Sequence, residues 1–336
     1  MKKYILLLLT SLYALSISAQ DIHYSQFFNT PIYLNPALTG VTSADMRFSS
    51  IYRSQWSSVP VPYQTLSAAF DQKIAHRILG EGWLGVGGIF THDKAGDAGL
   101  SWDEIEVNVA YILPLTDEQY LSAGIKIGAA QRSFDPDLLT FGDQFTGDIF
   151  DNTHSSLQTF DNTSTAFFDF SAGLTWFYKK QASRTSLIIG ASFSHLNQPG
   201  VGFDDNTEVN MPIRISLHGI ARLEIADNLD IEINEIFQII NTENQEFLLT
   251  LGGRYYFNDK KGDKFNVGLA GGYRLGDAFV VYASMGYQNW KATFSYDINT
   301  SPFKVATFKR GGPEFSLQYL IFSVVPPTKF KACPIF

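Results

Sequence analysis

Residues 290–298 read WKATFSYDI, and apolar and polar side chains alternate along the whole stretch. On an extended chain, Trp290 and Phe294 fall on one face, whereas Lys291 and Asp297 fall on the other. Because a period of two is typical of a β-strand that separates an apolar from a polar environment, this stretch predicts such a strand.

The same alternation recurs along the chain from Met46 onward. Residues 121–129 (LSAGIKIGA) and 213–225 (IRISLHGIARLEI) are clear examples, with Ile220 as the one exception. About fourteen such segments can be counted, and many reach the length that a tilted membrane strand needs. We predict that they begin near Met46, Tyr63, Gly82, Trp102, Gln119, Thr165, Arg184, Met211, Leu229, Gln245, Lys264, Ala278, Trp290 and Pro313.

These segments predict an all-β fold, a transmembrane antiparallel β-barrel of about 14 strands. If the N-terminus is periplasmic, the periplasmic connections are mostly short, whereas the other set includes residues 133–164, 197–210 and 299–312. Outer-membrane barrels sort their loops in this way. Charged residues on the polar faces are expected to point into the lumen, since lipid would be costly for them. They are Arg53, Glu104, Glu106, Lys126, Arg132, Asp169, Arg214, Arg222, Glu232, Lys291 and Asp297.

The start of the chain predicts a cleaved signal peptide over residues 1–19. Lys2 and Lys3 precede an apolar core, and Ala19 is a small residue before the expected cleavage site. Residues 20–45 follow as a plug-like N-terminal segment, the barrel occupies residues 46–322, and residues 323–336 form a periplasmic C-terminal tail. No later apolar run is long enough for a transmembrane helix, so helical membrane proteins are excluded.

The plug-like segment is predicted to be packed and irregular. Pro31 and Pro36 each remove a backbone donor and disfavour helix at the preceding residue, and Gly40 permits a sharp change of direction. Arg53 and Asp297 lie at opposite ends of the barrel sequence, and both are expected to point inward. We therefore expect these two side chains to help hold the segment in place.

Composition and motifs exclude several functions. A net charge of -8 without a cluster of Lys and Arg argues against nucleic-acid binding. The GxGxxG match at residues 80–85 contains Trp83 and precedes a strand pattern, so it does not predict a dinucleotide site. The histidines lack metal-binding spacing, no GxSxG elbow occurs, and Cys333 is the single cysteine. We expect no enzymatic activity, no cofactor and no resident metal.

Three blocks near the start of the chain stand in a defined order: Gln26-Phe27, Asn35-Pro36-Ala37 with Gly40, and Tyr52-Arg53-Ser54-Gln55-Trp56. Together they resemble the opening signature of the PorP/SprF family of the Bacteroidetes type IX secretion system. Later blocks that resemble the family are Gly85-Val86-Gly87-Gly88, Asp93-Lys94-Ala95-Gly96, Tyr296-Asp297, Gly312-Pro313-Glu314-Phe315 and Cys333-Pro334.

The resemblance implies a non-enzymatic barrel in the outer membrane of a Gram-negative cell, surrounded by outer-membrane lipid. Its expected partners are a secreted type IX substrate such as an adhesin, or components of the secretion or gliding machinery. The barrel would help to export the adhesin or attach it at the cell surface.

Two other functions remain open from the sequence. The Asn-Pro-Ala segment also resembles the hatch of fatty-acid-transport barrels, which would make the chain a channel for hydrophobic solutes. An outer-membrane enzyme such as a lipase would need a Ser-His or Asp-His constellation, of which the sequence gives no sign. The loop that carries Asp135, Asp137, Asp143, Asp148 and Asp151 could bind calcium, but its spacing favours a solvated external loop.

Overall fold

A computed structural model of the chain describes residues 22–55, 63–74, 81–96, 98–146, 149–151, 153–154, 156–204, 209–240, 244–258, 265–302, 307–308 and 310–322. The predicted signal peptide and C-terminal tail lie outside these residues, and so do Trp56, Cys333 and Pro334. No helix in the described part of the chain is both long enough and apolar enough to cross a bilayer.

Sixteen strands follow one another along the described chain. The first eight are β1 (Met46–Gln55), β2 (Tyr63–Ile74), β3 (Trp83–Ala95), β4 (Leu100–Pro114), β5 (Gln119–Ser133), β6 (Phe145–Thr146), β7 (Ile149–Phe150) and β8 (Ser164–Lys179). The others are β9 (Ser186–Ser194), β10 (Arg214–Ala226), β11 (Leu229–Ile239), β12 (Gln245–Asn258), β13 (Phe265–Arg274), β14 (Ala278–Tyr287), β15 (Trp290–Asn299) and β16 (Arg310–Ile321).

Fourteen of these strands form one closed antiparallel barrel, which confirms the predicted fold class. Each barrel strand pairs with its neighbours in sequence, and β1 pairs with β16 to close the cylinder. Across this closing pair Met46 lies opposite Ile321, and Arg53 lies opposite Glu314. The two remaining strands, β6 and β7, form a small separate hairpin in the connection between β5 and β8.

The observed strand starts lie within three residues of the predicted ones. One of the largest shifts is in β16, which begins at Arg310 and not at Pro313. Proline cannot donate a ladder hydrogen bond, so within sheets it is usually confined to a strand start, an edge strand or a bulge. In the structure Pro313 is paired with Tyr296 inside the strand, next to a register shift between Asp297 and Ile298.

The strands are apolar on the outside and polar on the inside, the reverse of a soluble protein. On β4, Ile105 is 63% exposed, whereas the adjacent Glu106 is 1% exposed. On β5, Ile125 and Ile127 are exposed while Lys126 between them is buried. The exposed apolar face is therefore the lipid-contacting surface, and the polar face lines the lumen.

The connections differ in length between the two ends of the barrel. Residues 115–118, 227–228 and 288–289 are short turns at one end. Residues 134–163 and 195–213 are long connections at the opposite end, which we call the long-loop end. The short and long connections therefore alternate between the two ends of the barrel, as the sequence predicts.

Residues 22–45 lie inside the barrel as short turns of helix. Single turns run over Phe27–Asn29, Pro31–Leu34 and Pro36–Leu38. The α-helical turn ends at the extended residue Asn35, whose side chain accepts a hydrogen bond from Ala37 N and caps the next turn. We call residues 22–45 the plug.

Two apolar clusters pack the plug against the lumen wall. Plug residues Phe27, Leu34 and Leu38 contact the barrel strands in one cluster, and Tyr24, Ile32 and Tyr33 do so in the other. Each large apolar side chain buried in this way stabilises the packed state by about 1.5–3 kcal/mol. The barrel residues in these clusters are Ile236, Leu248, Val280 and Tyr282 in the first, and Ile51 and Ile89 in the second.

Asn35 docks the plug onto the wall formed by β8 and β9. Its Nδ2 donates to the carbonyl oxygens of Leu174 and Ala191, at 3.2 and 3.1 Å. Gly173 lies directly beneath the amide, and a Cβ at that position would overlap Asn35 Oδ1. The close approach of plug and wall therefore depends on a glycine at this position.

We predict that Gly173→Ala displaces the plug from the wall. Overpacking of a filled interior costs about 1–3 kcal/mol, so the free energy of unfolding in detergent should fall by this amount. Protease cleavage near Asn35 should become faster. Gly271→Ala is the matched control, because nothing lies within 4 Å of a Cβ there. Equal losses in the two variants would contradict the docking role of Gly173.

Candidate functional site

A buried ion pair spans the two strands that close the barrel. Arg53 on β1 donates to Glu314 Oε2 on β16 at 2.9 Å, and to Asp297 Oδ2 on β15 at 3.1 Å. All three side chains are almost completely buried. In such a low-dielectric position each charge needs a partner, and the register of β1 against β16 supplies it.

The plug binds directly to this ion pair. The backbone amides of Ser25 and Gln26 donate to the two carboxylate oxygens of Glu314, at 3.0 and 2.6 Å. Ser25 Oγ lies within hydrogen-bond distance of Asp297, Arg53 and Arg274. We call Ser25, Gln26, Arg53, Arg274, Asp297 and Glu314 the plug anchor.

Polar contacts next to the anchor extend the attachment along the lumen wall. Gln26 Nε2 donates to Ser295 Oγ at 2.9 Å, and Ser316 Oγ donates to Gln26 Oε1 at 2.5 Å. Lys291 Nζ donates to Asn29 Oδ1 at 2.8 Å. The N-terminal part of the plug is thus bound to the strands of the C-terminal quarter of the barrel.

The structure brings together four residues of the predicted set, namely Gln26, Arg53, Asp297 and Glu314. The sequence predicts that Arg53 and Asp297 help hold the plug, and both contact it at Ser25. Phe27 lies beside them in an apolar cluster.

The other predicted residues lie elsewhere. Asn35 and Pro36 contact β8 and β5, and Gly40 N donates to Asp71 on β2. Thr65 on β2 donates to Asp93 Oδ1 at 2.5 Å. Gly96, with φ of 79°, forms the turn after β3. Gln55 is the last residue of β1, and Tyr296 lies on β15 opposite Pro313.

Four residues that contribute to the attachment were not singled out from the sequence, namely Arg274, Ser25, Arg47 and Asp71. Arg274 lies on the lumenal face of β13. The alternation of side chains along this strand identifies Arg274 as inward-pointing in the same way as Arg53. Ser25 has no distinguishing local signal. Arg47 and Asp71 form a second buried pair at 2.8 Å, and Arg47 also donates to the plug carbonyl of Leu38.

The longest connection, residues 134–163, lies at the long-loop end and exposes apolar side chains. Leu157 is 85% exposed, and Ile149 on β7 is 71% exposed. Phe134 packs against Phe160 and Phe203, with ring centroids 5.0 and 4.8 Å apart, and so joins this connection to the next one. We call residues 134–163 the long loop.

Acidic side chains of the long loop bind the loop's own backbone. Asp143 accepts hydrogen bonds from Leu157 N at 2.6 Å and from Ser156 Oγ at 2.9 Å. These bonds to the ionised form lower the pKa of Asp143 below its usual value of 3.8. Asp151 likewise accepts from the amide and the hydroxyl of Thr153. The carboxylates therefore act as internal braces of the loop.

We predict that Arg53→Met lowers the free energy of unfolding by about 3–5 kcal/mol, because it leaves Glu314 buried without its partner. Adding Glu314→Gln removes the uncompensated charge, so the double variant should be more stable than Arg53→Met alone. Urea unfolding in detergent measures both. Arg310→Met is the control, since Arg310 is exposed at the start of β16. Additive losses in the double variant would contradict a direct pairing.

We predict that Asp143→Asn loosens the long loop at neutral pH. Because the pKa of Asp143 is lowered in the folded loop, the stabilisation is complete above pH 3.8 and is lost as the pH falls through the folded pKa. Amide hydrogen exchange at Leu157 should become faster in the variant at pH 7, and Asp137→Asn should leave it unchanged. Lowering the pH through the folded pKa should reduce the protection of the Leu157 amide against hydrogen exchange in the wild type, and it should have no such effect in Asp143→Asn.

Solved structures with a similar fold include proteins described as channels and transporters. A structure described as "TodX monoaromatic hydrocarbon channel deltaS2 mutant" has a TM-score of 0.50 and 8% identity, covering 88% of this chain and 94% of that chain. The Ralstonia pickettii toluene transporter TbuX has a TM-score of 0.47 and 11% identity, covering 87% of this chain and 94% of its own. A Pseudomonas aeruginosa FadL homologue has a TM-score of 0.48 and 12% identity, covering 86% of this chain and 93% of its own.

At these identities the likeness concerns the fold alone, and a comparison with curated proteins found no match. In contrast, the model of the protein family described as "Type IX secretion system membrane protein PorP/SprF" matches residues 16–319, which is nearly the whole chain. The matched region includes the plug, the plug anchor and the long loop. The chain therefore belongs to the PorP/SprF family of type IX secretion system membrane proteins.

Proposed function

We propose that this chain is a non-enzymatic outer-membrane barrel that binds a secreted cell-surface protein of the adhesin type and attaches it at the surface. Components of the type IX secretion or gliding machinery are the alternative partners. The closed barrel and the family support an outer-membrane location. Cleavage of a signal peptide at residues 1–19 is part of the proposal.

The observation that carries this proposal is an exposed apolar surface on a barrel whose lumen is filled. Leu157 and Ile149 expose most of their surface at the long-loop end, beyond the lipid-contacting strands. Large exposed apolar surfaces mark interaction sites, and the described residues of this loop expose several apolar side chains. Because Asp143 binds Ser156 Oγ and Leu157 N, the part of the loop that carries Leu157 is held in place before a partner binds, which reduces the entropy cost of binding.

The filled lumen supports a binding role over a channel role. The plug anchor joins plug and barrel through buried charges, and the two apolar clusters occupy the space between the plug and the wall. A channel for hydrophobic solutes would need an apolar path. The described lumenal faces instead carry buried polar side chains such as Ser192, Asn234 and Thr293.

We predict that Ile149→Asp with Leu157→Asp weakens partner binding. A charge at each exposed apolar position would have to be desolvated in the complex, so recovery of the surface protein should fall about tenfold, equivalent to about 1.4 kcal/mol. The measurement is cross-linking in intact cells, followed by purification of the tagged barrel from outer membranes and quantification of the co-purified surface protein.

The matched control is Gln158→Asp with Thr159→Asp, which adds the same two charges at neighbouring exposed positions. This control should retain the partner at the cell surface. Retention of the partner by the apolar-to-acidic variant, and by a chain that lacks the long loop, would overturn the proposal. Loss of hydrophobic-solute uptake on deletion of the gene, with surface attachment intact, would instead favour the channel.

A further inference from the structure

A small cavity lies between the plug and the lumen wall, nearer the short turns than the plug anchor. Phe28 lines it from the plug, and two basic residues, Arg254 and Lys291, line it from the wall. Lys291 is the second residue of β15, directly after the short turn at residues 288–289. The cavity has room for about one or two water-sized groups.

The strand register brings the side chain of Arg254 close to Thr293, which also lines the cavity. Arg254 on β12 pairs with Gly268 on β13, and Gly268 pairs with Ser284 on β14. Ser284 in turn pairs with Thr293 on β15. Because Gly268 has no side chain, the Arg254 guanidinium crosses β13 and donates to Ser284 Oγ at 3.2 Å. Opposite residues have Cβ atoms about 4.5–5.5 Å apart, so the guanidinium ends one strand from Thr293.

The basic side chains at the cavity outnumber the acidic ones. Arg222 and Arg254 donate to the same oxygen, Glu232 Oε1, at 2.8 and 2.9 Å. This one carboxylate is therefore shared by two cations. Lys291 interacts electrostatically with both arginines and with Glu232, and it donates to the neutral Asn29 Oδ1 at 2.8 Å. An ammonium group beside two guanidinium groups stays charged when a further anion is close to it.

The positive excess persists when the neighbouring ion pairs are included. Arg184 lies 2.9 Å from Asp230 and 3.5 Å from Glu224, and Arg222 lies 4.0 Å from Asp230. In the described part of the chain, the connected set is Arg184, Arg222, Arg254 and Lys291 with Glu224, Asp230 and Glu232. Four positive charges thus face three negative ones, and Lys180 near Glu224 adds another positive charge.

Thr293 is an independent sign of a ligand. Its side chain is 2% exposed and lines the cavity. Among the residues that the structure describes, no hydrogen-bond partner is found for Thr293 Oγ1. Buried hydroxyl groups normally have a partner. The ammonium of Lys291 has three N–H donors, of which Asn29 accepts one. Donors that need an acceptor therefore meet at a cavity with excess positive charge.

We propose that this cavity binds one small monovalent anion, and specifically chloride. Lys291 Nζ and the Arg254 guanidinium supply the positive charge, and Thr293 Oγ1 donates a hydrogen bond to the ion. A space for about one or two water-sized groups suits a halide. It is too small for a tetrahedral oxyanion such as sulfate, because each of its four oxygens is about as large as a water molecule.

The position of the site gives the anion a structural role where the plug meets the wall. Lys291 Nζ lies 5.6 Å from the ring centroid of Phe28 and also donates to Asn29. A bound anion would hold Lys291 beside Arg254 and thereby join β12, β15 and the plug. The side chain of Arg222 is 39% exposed, so the charged network reaches solvent near the short turns.

The test is the chloride NMR line width of the full chain in a nonionic detergent, titrated with NaCl. The ionic strength is held constant with sodium sulfate. Chloride bound to a protein relaxes faster than free chloride, so wild type is expected to broaden the signal as one saturable site. A merely charged surface would bind the divalent sulfate instead, and sulfate would remove the broadening.

Two substitutions at the cavity should weaken chloride binding. Thr293→Val removes a hydrogen bond to a charged group, so the affinity should fall about tenfold. Lys291→Met removes a charge-assisted contact, so the affinity should fall about tenfold or more. Lys94→Met is the matched control, because it removes the same charge from an exposed position on β3. This control should bind chloride as wild type does.

Thr293→Val keeps the proposal testable if Lys291→Met does not fold. Valine is similar in volume to threonine, and the hydroxyl that it removes has no partner within the described protein. Correct folding is checked by circular dichroism and by heat-dependent migration in electrophoresis. Absence of saturable broadening in folded wild type, its removal by sulfate, or unchanged chloride affinity in folded Thr293→Val would overturn the proposal.

Discussion

The pairing of Arg53 with Glu314 across the closing strands is the interaction on which the rest of the structure depends. A buried arginine and a buried glutamate are tolerated only when each satisfies the other, so the pair requires the register in which β1 faces β16. The same carboxylate then receives the amides of Ser25 and Gln26. Barrel closure and attachment of the plug therefore use one set of charges.

The reversed polarity of the barrel explains why the lumen is filled. Each strand must present an apolar face to lipid, so its other face is polar and points inward. Polar and charged side chains brought together in a narrow lumen need hydrogen-bond partners. The plug supplies backbone amides, carbonyls and amide side chains at Ser25, Asn29 and Asn35, and it adds apolar side chains where the wall is apolar.

The alternation of side chains predicted the barrel well because it is a local property. The strand starts, the inward phase of Arg53 and Asp297, and the irregular plug around Pro31 and Pro36 can all be derived from neighbouring residues. The start of β16 was predicted at Pro313 but lies at Arg310, because a register shift next to Asp297 accommodates the proline inside the strand.

The contacts between plug and wall were not predictable in the same way. The fit of Asn35 over Gly173 and the role of Ser25 depend on residues more than a hundred positions apart. Such pairings follow from strand register and the path of the plug, neither of which a single sequence specifies. The nearness of Glu106 on β4 to Asp169 on β8 has the same origin, because both residues are paired with Gly128 on the intervening strand β5.

The location of the plug's seat has a consequence for how the protein is made. Glu314 belongs to the last strand, whereas Ser25 and Gln26 precede the first, so an inserting barrel has no complete seat until its final strand is in place. Placement of β16 therefore both closes the cylinder and completes the set of side chains that holds the plug.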